Sequence, residues 1–515
     1  MSTQVVFPAS LSQGQQKKEV PPPGVITRSD SLDFAVKRTE GGGKSRFSVV
    51  RKSEVTDQLY ARLDSANSQK RGVAGDFKMT GDSTMQSIWS LIRNLEGDKS
   101  RGRETKKDTV DKYATARQLN YNVEYYIDQM VTQIDFTYLN FAYQPFTGGG
   151  ADPVFVNPGL NALFMAGVTD LMEDYRLTGG VRLNVSLINN EYLFSFGNYR
   201  RRIDHQVVFH RKSVDEDAYP FIIRHKINEL YYIASYPFSP VLSLKGTAAL
   251  RYDRAVYLST DPFSLAQPDQ HDVWGSLKAE LTYDNTRSLG LNLYKGTRYK
   301  LFGEYYQLAN KKGNNIWIVG FDIRNYQQLH RTLIWANRLA ASTSFGSNRL
   351  LYYMGGVDNW MFASYNTTTP VDLAQNYAFQ TLATNMRGFP QNIRNGTSFF
   401  LFNTELRWPV FRYFYNRPIR SDFINNFQLV AFGDVGTAWN GLHPWSEGNH
   451  LFTRYISRNP LFIKVEMQKE PLVEGFGFGA RTRLFGYFLR GDLAWGVEDG
   501  RILKPVFYFS LSLDF

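Results

Sequence analysis

The sequence predicts an all-β fold: a transmembrane antiparallel β-barrel of about sixteen strands, preceded by a polar N-terminal linker. Three observations predict it. From about residue 158 apolar and polar side chains alternate with period two, the signature of strands with one apolar and one polar face. The alternating runs are long, ~10–15 residues against the ~5–6 usual in soluble sheets. Aromatic residues make up 15% of the 515-residue chain, with 38 Phe and 31 Tyr, and they recur near strand ends, as in Tyr231-Tyr232, Tyr236, Tyr252, Tyr257, Trp274, Tyr283, Trp408 and Trp439. An interfacial girdle requires that placement. Mean hydropathy is −0.36, and no apolar run approaches the ~18 residues of a membrane helix, so strands are left to do the crossing.

Residues 1–115 read as a polar linker, partly disordered, rich in Ser, Gly, Lys, Arg, Asp and Pro. Such a composition buries too little apolar area to offset chain entropy. Within it Met85, Ile88, Trp89, Ile92 and Leu95 have helical spacing behind Asp82-Ser83, which predicts a short helix near 82–96. Residues 1–20 lack the basic and apolar regions of a secretory signal, so the signal of an exported protein would lie upstream or have been removed. Residues 116–157 read as a periplasmic β-segment outside the wall, and 158–515 as the barrel. Its candidate strands are 159–169, 173–187, 190–199, 203–211, 221–235, 240–256, 272–286, 289–308, 314–325, 330–345, 349–358, 396–409, 425–439, 474–484, 486–496 and 505–515. In 273–283, Val273, Leu277, Ala279, Leu281 and Tyr283 oppose Ser276, Lys278, Glu280 and Thr282. The gap 359–395 is a long loop, and loops of that length are functional or disordered.

Several chemistries are excluded. With no Cys there is no disulfide framework, cysteine nucleophile, thiolate zinc site or iron–sulfur cluster. The net charge of +11 is scattered among acids rather than clustered, so a nucleic-acid partner is not expected. His205 and His210 point to opposite faces of one strand and converge on no metal. Gly148-Gly149-Gly150 lacks the Lys-Ser/Thr of a phosphate loop. No nucleophile–base pair or G-x-S-x-G setting is found. The expectation is a non-enzyme with no cofactor and no metal.

The C-terminus carries the sharpest signal. Phe507, Phe509, Leu511, Leu513 and Phe515 share one face, opposite Ser510, Ser512 and Asp514. An aromatic last residue in phase with lipid-facing positions resembles the C-terminal signal of bacterial outer-membrane barrels. Upstream, Met386-Arg387-Gly388-Phe389 resembles the [V/I/M]-R-G-[F/Y] loop motif of the BamA/TamA outer-membrane assembly and translocation superfamily. Asn403-Thr404-Glu405-Leu406-Arg407-Trp408-Pro409 resembles its N-x-E-x-R-x-P strand, and Phe432-Gly433-Asp434-Val435-Gly436 its F-x-D-x-G strand. Gly477-Phe478-Gly479-Ala480-Arg481 and Arg490-Gly491-Asp492-Leu493-Ala494-Trp495 resemble the G-x-G-x-R and R-x-D-x-A strands. Five motifs fall in family order over 386–515, with five strands after the motif loop.

Alternation agrees with these matches. It turns Asn403, Glu405, Arg407, Arg481, Arg490 and Asp492 inward and leaves Gly475, Gly477 and Gly479 on the inner wall, where they clear space for an in-folded loop. The resemblance implies that loop 359–395 folds into the lumen and that Arg387 pairs with Asp434, with Glu405 and Asp492 as further inward carboxylates. It also implies protein insertion or translocation at a lateral seam between first and last strands. The localisation implied is the outer membrane of a Gram-negative bacterium. The partners implied are client proteins, outer-membrane lipid and lipopolysaccharide, and periplasmic or envelope proteins. The alternatives are a scaffold barrel in a larger envelope complex and a passive solute channel. Residues 1–157 show no POTRA pattern. Asn140–Asp174 is similar to segments of larger superfamily proteins with a periplasmic β-propeller, which implies that the chain is the membrane part of a longer protein.

Overall fold

The structure is a computed structural model that describes 123–135, 143–146, 159–184 and 189–511, save short interruptions at 219–220, 260, 311–312, 373, 416, 447–448 and 459–460, together with the backbone of 34–38 and 47–51. The chain divides into two units, 16–121 and the remainder. In the first, Phe34–Arg38 and Phe47–Arg51 pair as an antiparallel hairpin within the expected linker. The helix expected near 82–96 lies outside the described residues.

The second unit is a closed barrel. Its wall strands among the described residues are β1 (Tyr125–Asp135), β2 (Asn161–Asp170), β3 (Tyr175–Asn184), β4 (Glu191–Asn198), β5 (Asp204–Ala218), β6 (Phe221–Pro237), β7 (Leu242–Tyr257), β8 (Gln270–Asp284), β9 (Leu293–Leu308), β10 (Asn315–His330), β11 (Leu333–Gly346), β12 (Ser398–Trp408), β13 (Gln428–Trp439), β14 (Val473–Leu484), β15 (Tyr487–Glu498) and β16 (Val506–Ser510). Consecutive strands pair antiparallel, and β16 neighbours β1 to close the ring. Two short segments, Arg287–Gly290 and Arg501–Ile502, extend the ring beside β9 and β15. No helix among the described residues is long and apolar enough to cross a membrane.

The pleat sorts the side chains. Leu230, Tyr232, Leu250 and Leu277 stand exposed on the outer face, while their neighbours Glu229, Arg251 and Lys278 are buried inside. This is inverted relative to a soluble sheet, as a barrel in lipid requires. Two aromatics expected in the girdle, Tyr231 and Trp274, are buried inward instead.

The wall begins earlier than 158. Tyr125–Asp135 falls in the segment expected to lie outside it, yet pairs with β2 along its length. A register shift between Ile127 and Gln129 explains why it was hidden: a bulge inserts one residue and reverses the alternation halfway along. The candidate at 159–169 is therefore the second strand, with neighbours on both sides.

The candidate at 349–358 is not in the wall. Arg349–Met354 pairs in parallel with Tyr377–Leu382 and antiparallel with Arg394–Gly396; Gln144–Pro145 adds a fourth strand beside Tyr377–Leu382. Leu350, Leu351, Tyr352, Tyr353 and Met354 are all fully buried. An uninterrupted apolar run suits a strand covered on both faces. This small sheet lies in the lumen: the Tyr352 hydroxyl meets Ser342 Oγ of β11 at 2.7 Å, and the Tyr143 hydroxyl donates to Glu304 of β9 at 3.1 Å. Its apolar side chains pack with inward Trp274, Phe302 and Tyr306 in one buried cluster. Two loops, the β1–β2 and β11–β12 connections, thus share a core inside the barrel.

Candidate functional site

Register places the inward polar residues of β12–β16 on one patch of wall. Asn403 lies opposite Asp434, Asp434 opposite Gly475, Gly479 opposite Asp492, Arg481 opposite Arg490, and Asp492 opposite Tyr508. The β11–β12 loop delivers Arg387 onto this patch, and the side chain is 1% exposed.

Arg387 grips Asp434 with two prongs: Nε donates to Oδ2 and a terminal nitrogen to Oδ1, each at 2.6 Å. Its backbone N–H donates to the same carboxylate at 3.1 Å. The other terminal nitrogen donates to Glu405 at 2.5 Å and lies 3.8 Å from Asp492. The guanidinium sits 3.7 Å from the ring centroid of Phe432, so one face is covered by an aromatic. Glu405 also takes Arg481 at 2.7 Å and Arg407 at 2.7 Å. Arg490 turns to Asp492 at 2.5 Å. Asn403 Nδ2 donates to Asp434 Oδ1 at 2.8 Å and to the Asn385 carbonyl at 2.9 Å, tying the loop backbone to the same patch.

All seven charged residues are buried, so desolvation is large and only close multidentate pairing can offset it. The product is geometry rather than chemistry. The cluster fixes one arrangement of the loop and offers no nucleophile, since every carboxylate is engaged by arginine. If Arg387 and Asp434 act as one unit, the double-mutant cycle Arg387→Ala with Asp434→Ala should give a coupling of roughly 0.5–3 kcal/mol in unfolding free energy. Strictly additive losses would separate the two residues.

Gly388 and Phe389 complete the turn. Gly388 has φ +96°, open to glycine and strained for other residues. Gly475 and Gly496 face each other across β14 and β15, and the turn lies in the notch they leave. A Cβ on Gly475 would strike the Arg387 carbonyl oxygen, and one on Gly496 the Phe389 ring. Sequence reasoning missed Tyr508. Its hydroxyl accepts from the Gly388 N–H and donates to the Phe389 carbonyl, both at 2.8 Å. The available signal was phase: Tyr508 is a polar-tipped aromatic on the inward face of the last strand, in step with Ser510. Of the terminal signal residues, Phe507 is exposed on the outer face, and Phe509 and Leu511 are half-buried. Leu513 and Phe515 lie outside the described residues.

The second loop is tied in the other half of the lumen. Arg251 donates to the Tyr143 carbonyl at 2.7 Å and covers the Phe379 ring at 4.4 Å. His210 is buried between Glu229, at 2.9 Å, and Glu191, at 3.6 Å, whereas His205 meets Tyr232 on the other face. Among the described residues no group of His, Asp and Glu is arranged to hold a metal.

No protein-family model matches the sequence. No curated protein matches it either. Solved structures similar to it include BamA from Haemophilus ducreyi lacking POTRA domains 1–3, at 11% identity over 93% of this chain and 88% of that one, with a TM-score of 0.44. CdiB from Acinetobacter baumannii is 13% identical over 75% of this chain and 65% of that one, TM-score 0.38. CdiB from Escherichia coli is 11% identical over 68% and 58%, TM-score 0.38. The chain's own strand pairing, with apolar side chains outward and charged ones inward, makes it a closed antiparallel β-barrel of the membrane-spanning type.

Proposed function

We propose that this barrel inserts proteins into, or moves them across, the outer membrane of a Gram-negative bacterium, at the seam between β1 and β16. The observation that carries the reading is a filled lumen beside an irregular first strand. The β1–β2 and β11–β12 loops pack a buried core inside the barrel, which argues against a passive solute channel. At the seam, β1 is interrupted by a bulge, and no side chain in its described stretch is buried. A strand that buries little apolar area holds its neighbour weakly, and a freed edge is a template for another strand. The five family motifs point the same way. The partners are client polypeptides, the surrounding lipid and lipopolysaccharide, and envelope proteins that deliver clients.

Cysteines placed in β1 and β16 test this, in a chain without native Cys. The purified barrel, in liposomes of outer-membrane lipid, is given a urea-unfolded eight-stranded outer-membrane barrel polypeptide. Its assembly should stop on oxidation of the seam and resume on reduction. Assembly that continues through a locked seam would rule out lateral opening.

A further inference from the structure

The last strand has two edges. One pairs with β15, where Gly491 lies opposite Phe509 and Arg490 opposite Ser510. The other, at residues 509–511, is covered by the in-folded loop. Trp360 and Ser510 form an antiparallel bridge. The Met361 N–H donates to the Phe509 carbonyl at 3.0 Å, and Asn359 Nδ2 donates to the Leu511 carbonyl at 2.7 Å. The Trp360 ring lies 4.7 Å from that of Tyr508 and is 8% exposed. Asn359 has φ +55°, a left-handed turn that asparagine tolerates better than most residues and that brings the next two residues alongside the strand. A strand edge holds one neighbour at a time. At 509–511, on the seam side, that neighbour is the loop.

Resting on the function proposed above, we infer that Asn359-Trp360-Met361 is a built-in latch on the seam edge of the last strand, occupying the place of an incoming client strand. The partner that displaces it is an extended polypeptide. It must offer a backbone N–H to Phe509 and set an aromatic side chain over Tyr508, where Trp360 now lies. Tyr508 joins the latch to the Arg387 turn, because its hydroxyl bridges Gly388 and Phe389. The charge cluster therefore holds the latch as well as the loop. Being tethered, the latch competes at high effective concentration, and a client must bring an aromatic strand to win.

The geometry is tested first, on the full chain in detergent. A bridge flanked by its hydrogen bonds is a non-hydrogen-bonded pair, with Cα atoms about 4.5 Å apart, within disulfide range. Trp360→Cys with Ser510→Cys should form a disulfide readily. Trp360→Cys with Phe509→Cys, which points to the opposite face, should not. Equal formation by both pairs would overturn the latch. Competition is tested with a fluorescent peptide of residues 356–364, the latch supplied in trans. Asn359→Ala, which removes one donor, should raise its capture by about fivefold, the worth of one net hydrogen bond. Met361→Pro, which removes the backbone donor, should raise it further, and oxidation of the Trp360→Cys, Ser510→Cys variant to its disulfide should abolish it. A peptide with alanine in place of its tryptophan should bind poorly to every variant. Capture unaffected by both unlatching substitutions and by the disulfide would overturn the proposal. A barrel that passes these tests yet assembles no client would refute the proposed function and leave the latch standing.

Discussion

Glu405→Ala is expected to lower the barrel's unfolding free energy by on the order of 3–5 kcal/mol, the cost of removing one partner from a buried ion cluster. Glu405 is the hub. One carboxylate oxygen takes Arg387 at 2.5 Å and Arg481 at 2.7 Å; the other takes Arg407 at 2.7 Å and Arg481 at 3.0 Å. Without it Arg387 retains Asp434, and Arg407 retains the Asn292 carbonyl at 3.1 Å. Arg481 loses both of its hydrogen-bonded contacts to Glu405, and its next carboxylate, Asp492, is 4.0 Å away. An inadequately compensated guanidinium inside the wall is the costly product, more than the lost attraction itself. Glu405→Gln keeps the shape and two polar atoms, so it should cost less than alanine. Glu474→Ala, at an exposed position of β14, should stay within about 0.5 kcal/mol of the native protein. Urea unfolding in lipid bilayers, followed by the gel mobility of folded and unfolded barrel, measures all three. If Glu405→Ala costs no more than Glu474→Ala, the cluster does not hold the fold.

That cluster was legible in the sequence, and the reasons differ from residue to residue. Glu405, Arg407, Arg490 and Asp492 follow from alternation alone, because each is out of phase with the outward Leu406, Trp408, Leu489 and Leu493 of an uninterrupted strand. Arg387 does not follow from alternation. It lies on a loop, and only the motif resemblance linked it to Asp434. The outline of the barrel was legible for the same reason as the wall charges: a period of two survives wherever the strand is regular. It failed at β1, where the bulge after Ile127 reverses the phase. It failed again at Arg349–Met354, whose apolar run belongs to a strand covered on both faces. The two misreadings offset one another in the strand count. Pairing of Gln144–Pro145 with Phe379–Gln380 was beyond reach, since those residues are far apart in sequence and no local pattern links them. Tyr508 on the last strand and Trp360 on the loop act through partners more than a hundred residues away, so their roles appear only once the chain is folded.

Gly475→Val should drive the loop off the wall. The notch that receives the motif turn is made of backbone: Gly475 and Gly496 face each other across β14 and β15, and the Arg387 carbonyl oxygen lies where a Cβ on Gly475 would be. Overpacking a core typically costs about 1–3 kcal/mol when side chains can shift aside. Here the obstacle is the loop's own backbone, held by Gly388 at φ +96° and by the Tyr508 hydroxyl, which accepts from the Gly388 N–H of that same peptide group and donates to the Phe389 carbonyl. It cannot rotate away, so the turn must lift as a unit. Lifting draws the Arg387 guanidinium from Asp434 and Glu405 and unseats the packed lumen. Gly475→Val should therefore raise ion conductance across a planar bilayer. It should also lose stability without the full additional loss when combined with Arg387→Ala, because both changes release one contact. Gly303→Ala is the control: a Cβ there meets nothing within 4 Å, so it should leave conductance and stability unchanged. A Gly475→Val barrel with native conductance and native unfolding midpoint would mean that the motif loop does not seat in this notch.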